Sequence, residues 1–232
     1  MRYQAVDVTR GLAFVAMVVY HASWFADDYG LVDFDMFGNP AWVVFQKCIA
    51  GTFFFLVGSS LYLAHRSEIK GQAFAWRMAK LGLCAATVTA TSVVMNPGRL
   101  VTFGILHAIM ATSIAGLAFL RLGRWNAALG ALLIAVGLLV RAPVFDHPWL
   151  HWTGLGTRWV PTFDFQPFLP WFGVVLLGVV AGQFLWPRTR DLHSDAAVAR
   201  GLALAGQWAL WLYMAHVPVL IAAMELIRLV AS

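Results

Sequence analysis

Residues 41–64 read Ala41-Trp-Val-Val-Phe-Gln-Lys-Cys-Ile-Ala-Gly-Thr-Phe-Phe-Phe-Leu-Val-Gly-Ser-Ser-Leu-Tyr-Leu-Ala64 and contain one charged side chain, Lys47. A helix of about 20 apolar residues is long enough to cross the ~30 Å hydrocarbon core of a bilayer. This stretch therefore predicts a membrane-spanning helix. Similar apolar runs recur along the chain, at roughly 10–26, 81–95, 100–120, 125–140, 168–186 and 202–230.

The composition agrees with a membrane protein. Of the 232 residues, 61% are hydrophobic and only 12% are charged, and the mean hydropathy is +0.74. The alternating pattern of an outer-membrane barrel is absent, and only helices or closed barrels satisfy the backbone in lipid. We therefore predict one all-α integral membrane domain over residues 1–232, a polytopic bundle of about seven transmembrane helices.

The basic residues predict the orientation of the bundle, because Lys and Arg are enriched in cytoplasmic loops. With a cytoplasmic N-terminus, 11 of the 16 basic residues lie on the cytoplasmic side. Seven spans then place the C-terminus outside. The net charge of +5 is accounted for by this distribution, so we exclude nucleic acid as a partner.

Ionisable side chains inside the apolar runs are candidates for function, since each costs at least about 2.5 kcal/mol at the centre of a span. Arg10 and His21 are 11 residues apart in the first span, which is three helical turns, so they share one face about 16 Å apart. Asp7 is expected to pair with Arg10 on that face. His107 and His216 are predicted near the depth of His21, and this layer of three histidines favours a site over three separate interhelical hydrogen bonds.

The segment 142–167 between the fifth and sixth apolar runs contains four prolines and three tryptophans, Trp149, Trp152 and Trp159. It is too interrupted for one helix and is expected to form a lid or an interfacial loop. Its tryptophans suit either stacking on a sugar ring or anchoring at the interface. Asp164, near the start of the sixth span, is expected either to orient an imidazole or to cap a helix.

Four stretches resemble a known family: Asp7-Val-Thr-Arg-Gly-Leu-Ala-Phe-Val-Ala-Met-Val-Val-Tyr-His21, Phe54-Phe-Leu-Val-Gly-Ser-Ser-Leu-Tyr-Leu-Ala64, Phe103-Gly-Ile-Leu-His-Ala-Ile109 and Pro167-Phe-Leu-Pro-Trp-Phe-Gly173. They are similar to short bacterial members of the heparan-alpha-glucosaminide N-acetyltransferase catalytic-domain family. The Arg10–His21 spacing and Leu212-Tyr-Met-Ala-His-Val-Pro-Val219 also resemble the membrane acyltransferase-3 family. Lysosomal members differ, with asparagine at the position of His21 and their catalytic histidine in the loop after the first helix.

This resemblance implies a multi-pass acyltransferase of the bacterial inner membrane. It would move an acetyl group from cytoplasmic acetyl-CoA to an amine or hydroxyl of a sugar or glycan acceptor on the outer face, and a homodimer is possible. We expect His21 to be the general base, His107 or His216 to stabilise the oxyanion and Asp164 to orient an imidazole. Direct transfer needs only these groups, although an acetyl-histidine intermediate stays open. The phosphates of the donor are expected at Arg10, Arg66, Arg77 and Lys80, and no metal is expected.

Two other functions remain open at this stage. Histidines on separate helices, such as His107 and His216, suit the axial ligands of a b-type haem. The glycines at 51, 58, 173, 178 and 182 suit either the moving helices of a transporter or flippase, or close helix packing. No inverted repeat supports transport.

Overall fold

A computed structural model describes residues 3–95, 98–158, 160 and 162–231, and all regular secondary structure within them is helical. The predicted all-α class is thus confirmed. Eight α-helices occur in this part of the chain: α1 (Gln4–Asp28), α2 (Pro40–His65), α3 (Gly71–Met95), α4 (Ile105–Gly116), α5 (Trp125–Leu139), α6 (Phe168–Phe184), α7 (Ala197–Gln207) and α8 (Ala209–Ala231).

Four of these helices are long and apolar enough to cross a membrane, namely α1, α2, α3 and α8. Shorter apolar helices cover Ile105–Phe119, Trp125–Leu139 and Phe168–Phe184. Each apolar run of the sequence therefore corresponds to a helix. Whether the three shorter helices also cross the membrane, which the predicted seven spans require, stays a prediction.

Several helices begin five or more residues from the start of their apolar run, and α1 begins at Gln4, six residues before its run. α3 starts at Gly71, ten residues before the apolar run, so that Arg77 and Lys80 lie within the helix and not in a connecting segment. α4 starts only at Ile105, because the backbone of Val101 is held by side chains of α3: Val101 N donates to Ser92 Oγ at 3.0 Å, and Thr89 Oγ1 donates to Val101 O at 2.7 Å. Residues 100–103 are thereby kept out of the helix.

The last apolar run is divided between two helices. α7 ends at Gln207, Trp208 has non-helical dihedral angles (φ −96°, ψ 9°), and α8 begins at Ala209. At 1.5 Å per residue the 11 residues of α7 extend only about 17 Å, too short for a span. The predicted start of the seventh span at Leu202 is therefore corrected to Ala209.

The chain forms two compact units, and the first comprises Met1–Phe53 and Arg188–Ser232. In this unit α1 packs closely on α7 through two glycines. A Cβ at Gly11 would collide with the carbonyl of Leu202, and a Cβ at Gly206 would collide with the carbonyl of Asp7. Small residues thus let the two backbones touch, as at the contacts of membrane helices.

α8 lies beside α1 and runs in the same direction. The ring of His216 lies near the rings of Phe14 and His21, with centroids 6.3 and 4.9 Å away, and further along both helices Tyr29 Oη donates to Glu225 Oε1 at 2.8 Å. Residue numbers therefore rise together on both helices. The hydrogen bond to Glu225 is the main cause of the raised pKa of Tyr29.

The second unit, Phe54–Pro187, contains the C-terminal part of α2 and the helices α3 to α6. Its glycines serve close packing: a Cβ at Gly58 would meet the carbonyl of Val175, and one at Gly178 would meet the carbonyl of Phe55. Buried Ser59 Oγ donates to the carbonyl of Gly178 at 3.0 Å. These contacts favour the packing interpretation of the glycines over helix movement.

Candidate active site

His21 and His216 form a direct pair in the first unit. His21 lies on α1, where the helix faces α8, and His216 Nε2 lies 3.2 Å from His21 Nδ1. His216 is only 6% exposed, and His21 is half-buried. Of the three histidines expected at one depth, two are thus in hydrogen-bond contact.

The hydrogen bonds of this pair determine where the protons lie. His216 Nδ1 is 2.6 Å from the carbonyl of Tyr213, so it must donate, which leaves Nε2 of the neutral ring as an acceptor. His21 Nδ1 faces both His216 Nε2 and the carbonyl of Met17, at 3.2 and 3.0 Å, so it carries a proton that the two acceptors share. His21 Nε2 is therefore unprotonated and, unlike His216 Nε2, accepts no hydrogen bond within the pair, which is the state that a general base needs.

Arg10 lies about three turns below His21 on α1, at the contact between α1 and α7. Its Nη1 forms an ion pair with Asp7 Oδ1 at 2.9 Å, which confirms the predicted Asp7–Arg10 pair. The same nitrogen approaches the carbonyl of Gly206 at 3.4 Å, and Gln207 Nε2 approaches Asp7 Oδ2 at 3.4 Å. Arg10 thus helps to join α7 to α1 while keeping 24% of its side chain exposed.

His107 lies at the start of α4 in the second unit, and both of its ring nitrogens are engaged. Gly104 N donates to Nδ1 at 3.3 Å, and Nε2 lies 3.4 Å from Thr89 Oγ1. Since the Thr89 hydroxyl donates to Val101 O, His107 Nε2 must be the donor to Thr89. The ring therefore holds the start of α4 against α3.

Asp164 also supports the start of α4. Its Oδ2 accepts a hydrogen bond from Ile105 N at 2.9 Å, across a sequence separation of 59 residues. Of the two expected roles, the structure shows the helix-capping one, although the helix is α4 and not the one that follows Asp164. An aspartate in this position satisfies one of the unpaired amides of the helix start.

The other predicted phosphate ligands lie in the second unit. Arg66 directly follows α2, and Arg77 and Lys80 lie in the early turns of α3. Lys70 N donates to Nδ1 of buried His65 at 3.1 Å, which ties the α2–α3 connection together beside Arg66. Arg77 is close enough to act electrostatically on His65.

The loop between α5 and α6 is organised by Asp146. Its carboxylate accepts hydrogen bonds from Thr157 N and Thr157 Oγ1, both at 2.6 Å, and from Arg158 N at 3.0 Å. The bond from the Thr157 hydroxyl is the largest cause of the lowered pKa of Asp146.

The tryptophans of the same loop differ in their surroundings. Trp149 is 81% exposed, and Trp152 packs on the rings of Phe103 and Phe168. Trp159 lies outside the described residues. Of the two tryptophans that the structure describes in this loop, Trp149 is the more exposed.

Comparison with known families identifies the chain. The family described as heparan-alpha-glucosaminide N-acetyltransferase, catalytic, matches residues 2–218. The chain belongs to this heparan-alpha-glucosaminide N-acetyltransferase family. None of the curated proteins and none of the solved structures gives a significant match. The family points to a transmembrane acetyltransferase that uses acetyl-CoA as donor.

The geometry also bears on the haem alternative. A haem iron would need an unprotonated ring nitrogen from each of its two histidines. His216 Nε2 accepts from His21, and both nitrogens of His107 are engaged, so neither ring presents such a nitrogen. Among the described residues, no cluster of three or more His, Cys, Asp or Glu has a metal-binding arrangement.

Sequence reasoning missed some features that the structure brings together. It placed His21 and His216 at one depth but did not pair them, because neighbouring helices cannot be read from a single sequence. It gave no role to Arg121 or Gln183, which line a cavity with Arg66 in the second unit. The sequence offered one signal for this cavity: Arg66 and Arg121 each stand shortly after an apolar run, on the predicted cytoplasmic side. Membrane orientation alone explains that position.

Proposed function

We propose that this protein transfers an acetyl group from cytoplasmic acetyl-CoA to an amine or hydroxyl of a sugar or glycan acceptor on the outer face of a bacterial inner membrane. Membership of the family supports acetyl transfer and acetyl-CoA as the donor. The acceptor, the sidedness and the histidine chemistry are our proposal. The observation that carries it is the His21–His216 pair, in which His21 Nε2 keeps a lone pair that is not used within the pair.

In this proposal His21 Nε2 accepts the proton of the acceptor amine or hydroxyl as the acceptor attacks the carbonyl carbon of the thioester. A new C–N or C–O bond forms, the C–S bond breaks, and the proton on His21 passes to the departing thiolate. His216 holds the His21 ring by accepting from Nδ1–H, and it shares the positive charge that develops on the ring. No covalent histidine intermediate is required.

Arg10 is proposed to meet the phosphates of the donor. It lies 11 residues before His21 on one continuous helix, an axial distance of about 16 Å. A guanidinium has five N–H donors in a fixed fork, so an ion pair to Asp7 through Nη1 is compatible with a further contact to phosphate. In the second unit, Arg66, Arg77 and Lys80 stay proposed as phosphate-binding cations.

His107 and Asp164 are proposed as positioning residues for α4. The oxyanion role first considered for His107 requires a ring N–H that points at the substrate, but its Nε2–H points at Thr89. In the pair, His216 Nε2 is an acceptor while both rings are neutral, so it does not donate to an oxyanion either. The proposed reaction therefore rests on one base, His21, and one partner that orients it.

The test compares three variants of the pair in proteoliposomes that contain acetyl-CoA inside and glucosamine outside, with free thiol release as the measurement. His21→Ala should lower kcat by about 100-fold or more, the usual contribution of a general base. His216→Leu should lower kcat without a matching change in KM, because it removes the acceptor for His21 Nδ1–H. His216→Gln should recover part of this loss, since its amide oxygen can accept the same hydrogen bond.

Two results would contradict the assignment. Wild-type turnover in folded His21→Ala protein would remove His21 from the chemistry. Equal activity of the Leu and Gln variants at position 216 would show that this position only fills space. The melting temperature of each variant serves as the folding control.

A further inference from the structure

A cavity of about 530 Å³ lies at one end of the second unit, a volume within the range of ordinary small-molecule sites. It is bounded by the end of α2, the turn that follows α4 and the last residues of α6. The side chains that matter here are Tyr62, His65, Arg66, Arg121 and Gln183. All of the surrounding segments carry basic residues that the sequence assigns to the cytoplasmic side.

The base of the cavity is well packed. Buried Leu61, Leu120 and Val179 form an apolar cluster against which Tyr62 and Leu117 pack. Tyr62, Leu117 and Leu120 also line the cavity, so its floor is part of the core of this unit. The base of the cavity is therefore formed by packed side chains and not by a surface loop alone.

The polar groups around the cavity are mostly hydrogen-bond donors. Arg66 and Arg121 contribute two guanidinium groups against a single carboxylate, Glu68. His65 Nδ1 accepts from Lys70 N, so the proton of the neutral ring is on Nε2, which is then a third donor. A lining of this kind favours an anion with several acceptor oxygens, and phosphate is the group that arginine recognises best.

Gln183 adds a second requirement. Its Oε1 is buried and has no hydrogen-bond partner among the described residues, although it belongs to the cavity lining. A buried acceptor without a partner costs about 1–3 kcal/mol, so a ligand that donates to it gains affinity. The lining of the cavity thus favours a ligand in which a phosphate lies near a hydroxyl or an amide N–H.

The helix ends around the cavity disfavour an anion, so the side chains must supply the attraction. α2 and α6 both end at the cavity, and the carbonyl groups at helix C-termini carry partial negative charge. A phosphate would bind here through side-chain donors, chiefly the two arginines, because the backbone opposes it. Removing one guanidinium should consequently have a large effect.

We propose that this cavity binds a phosphate group carried beside a hydrogen-bond donor, with Arg66 and Arg121 on the phosphate and Gln183 Oε1 on the donor. Two sources have this chemistry, the phosphorylated end of coenzyme A and the headgroup of an anionic glycerophospholipid. Coenzyme A as the first probe rests on the proposed function, and it would make Arg121 and Gln183 donor-binding residues beside Arg66.

The test is equilibrium binding of coenzyme A to the full chain in nanodiscs of zwitterionic lipid. Arg66→Gln and Arg121→Gln should each weaken binding about tenfold or more, the loss expected for a charge-assisted hydrogen bond. Arg124→Gln is the matched control: it removes the same charge three residues from Arg121, from a guanidinium that lies over the Trp125 ring and does not line the cavity. Gln183→Leu should weaken coenzyme A binding while leaving inorganic pyrophosphate binding unchanged.

A second experiment tests whether the ligand of the cavity is a lipid headgroup. Protein purified from membranes containing phosphatidylglycerol is examined by native mass spectrometry for retained lipid. Loss of this lipid in Arg66→Gln and Arg121→Gln, but not in Arg124→Gln, supports the site with a headgroup as its ligand. If neither coenzyme A nor phosphatidylglycerol distinguishes Arg121→Gln from Arg124→Gln, the proposal is overturned. Binding does not depend on turnover, so a protein that binds coenzyme A here but never transfers acetyl would overturn only the proposed function.

Discussion

Asp146 shows what one side chain does for the loop between α5 and α6. Three hydrogen bonds from Thr157 and Arg158 reach its carboxylate, and Arg158 Nε lies 3.9 Å from Oδ2. Each of these contacts favours the ionised form, which is why the pKa of Asp146 is lowered. The stretch around Thr157 is therefore tied more tightly to the turn at Asp146 while the carboxylate is charged.

We predict that Asp146→Asn loosens this loop at neutral pH and that the difference from wild type disappears in acid. A carboxyl group whose pKa is lower in the folded state adds stability above its unfolded value, about 3.9, and loses it as pH falls through the folded value. Amide hydrogen exchange at Thr157 and Arg158, corrected for intrinsic rates, should be faster in the variant at pH 7. The two proteins should converge only as the pH falls below the folded pKa of Asp146, which lies under its unfolded value.

Asp33→Asn is the control for this prediction, since it removes an equal charge from an exposed position in another loop. It should leave exchange at Thr157 and Arg158 unchanged. A protection difference between wild type and Asp146→Asn that persists undiminished after the Asp146 carboxyl group has been protonated would show that shape, and not charge, holds the loop.

At the scale of the helix, the contact between α1 and α7 depends on two missing side chains, at Gly11 and Gly206. A methyl group at Gly206 would overlap the carbonyl of Asp7, whereas Gly201, on the same helix, has no atom within 4 Å of its would-be Cβ. Gly206→Ala should therefore lower the stability of the purified protein by about 1–3 kcal/mol, the usual cost of overpacking. Gly201→Ala should be neutral or stabilising by up to about 1 kcal/mol, because alanine reduces the entropy of the unfolded helix.

Thermal unfolding in detergent, followed by tryptophan fluorescence, measures both variants. The displaced α7 should also weaken the contact of Arg10 with the carbonyl of Gly206. Equal melting temperatures for the two variants would mean that α1 and α7 do not pack closely. A rise for Gly206→Ala would mean that the helices separate at no cost.

The helices also show what a single sequence does and does not determine. The lengths of the apolar runs predicted where most helices lie, since burial of about 20 apolar residues in lipid is a local property. The break at Trp208 has no proline, and the nearby Gly206 does not by itself predict a helix end. The late start of α4 depends on Ser92 and Thr89 from α3. The Asp164–Ile105 and His216–His21 hydrogen bonds likewise join residues 59 and 195 positions apart. Such contacts depend on which helices become neighbours, which the residues of one helix do not specify.

For the whole molecule, the parallel course of α1 and α8 restricts the number of membrane crossings. If only the four long helices crossed, α8 would run opposite to α1, because each crossing reverses the direction of the chain. The contacts His21–His216 and Tyr29–Glu225 show that the two helices run the same way. If all four long helices cross the membrane, the segment from α4 to α6 crosses an odd number of times, and three crossings would give the predicted seven.

This argument predicts termini on opposite sides of the membrane, with the N-terminus in the cytoplasm because 11 of the 16 basic residues then lie there. In a bacterial host, alkaline phosphatase fused after the last residue should be active and a fluorescent protein fused there should be dark. The same reporters fused after Arg66, which follows two crossings, should give the opposite result and serve as the inside control. A fluorescent C-terminal fusion would require an even number of crossings, and α1 and α8 could not then both span the membrane side by side in one direction.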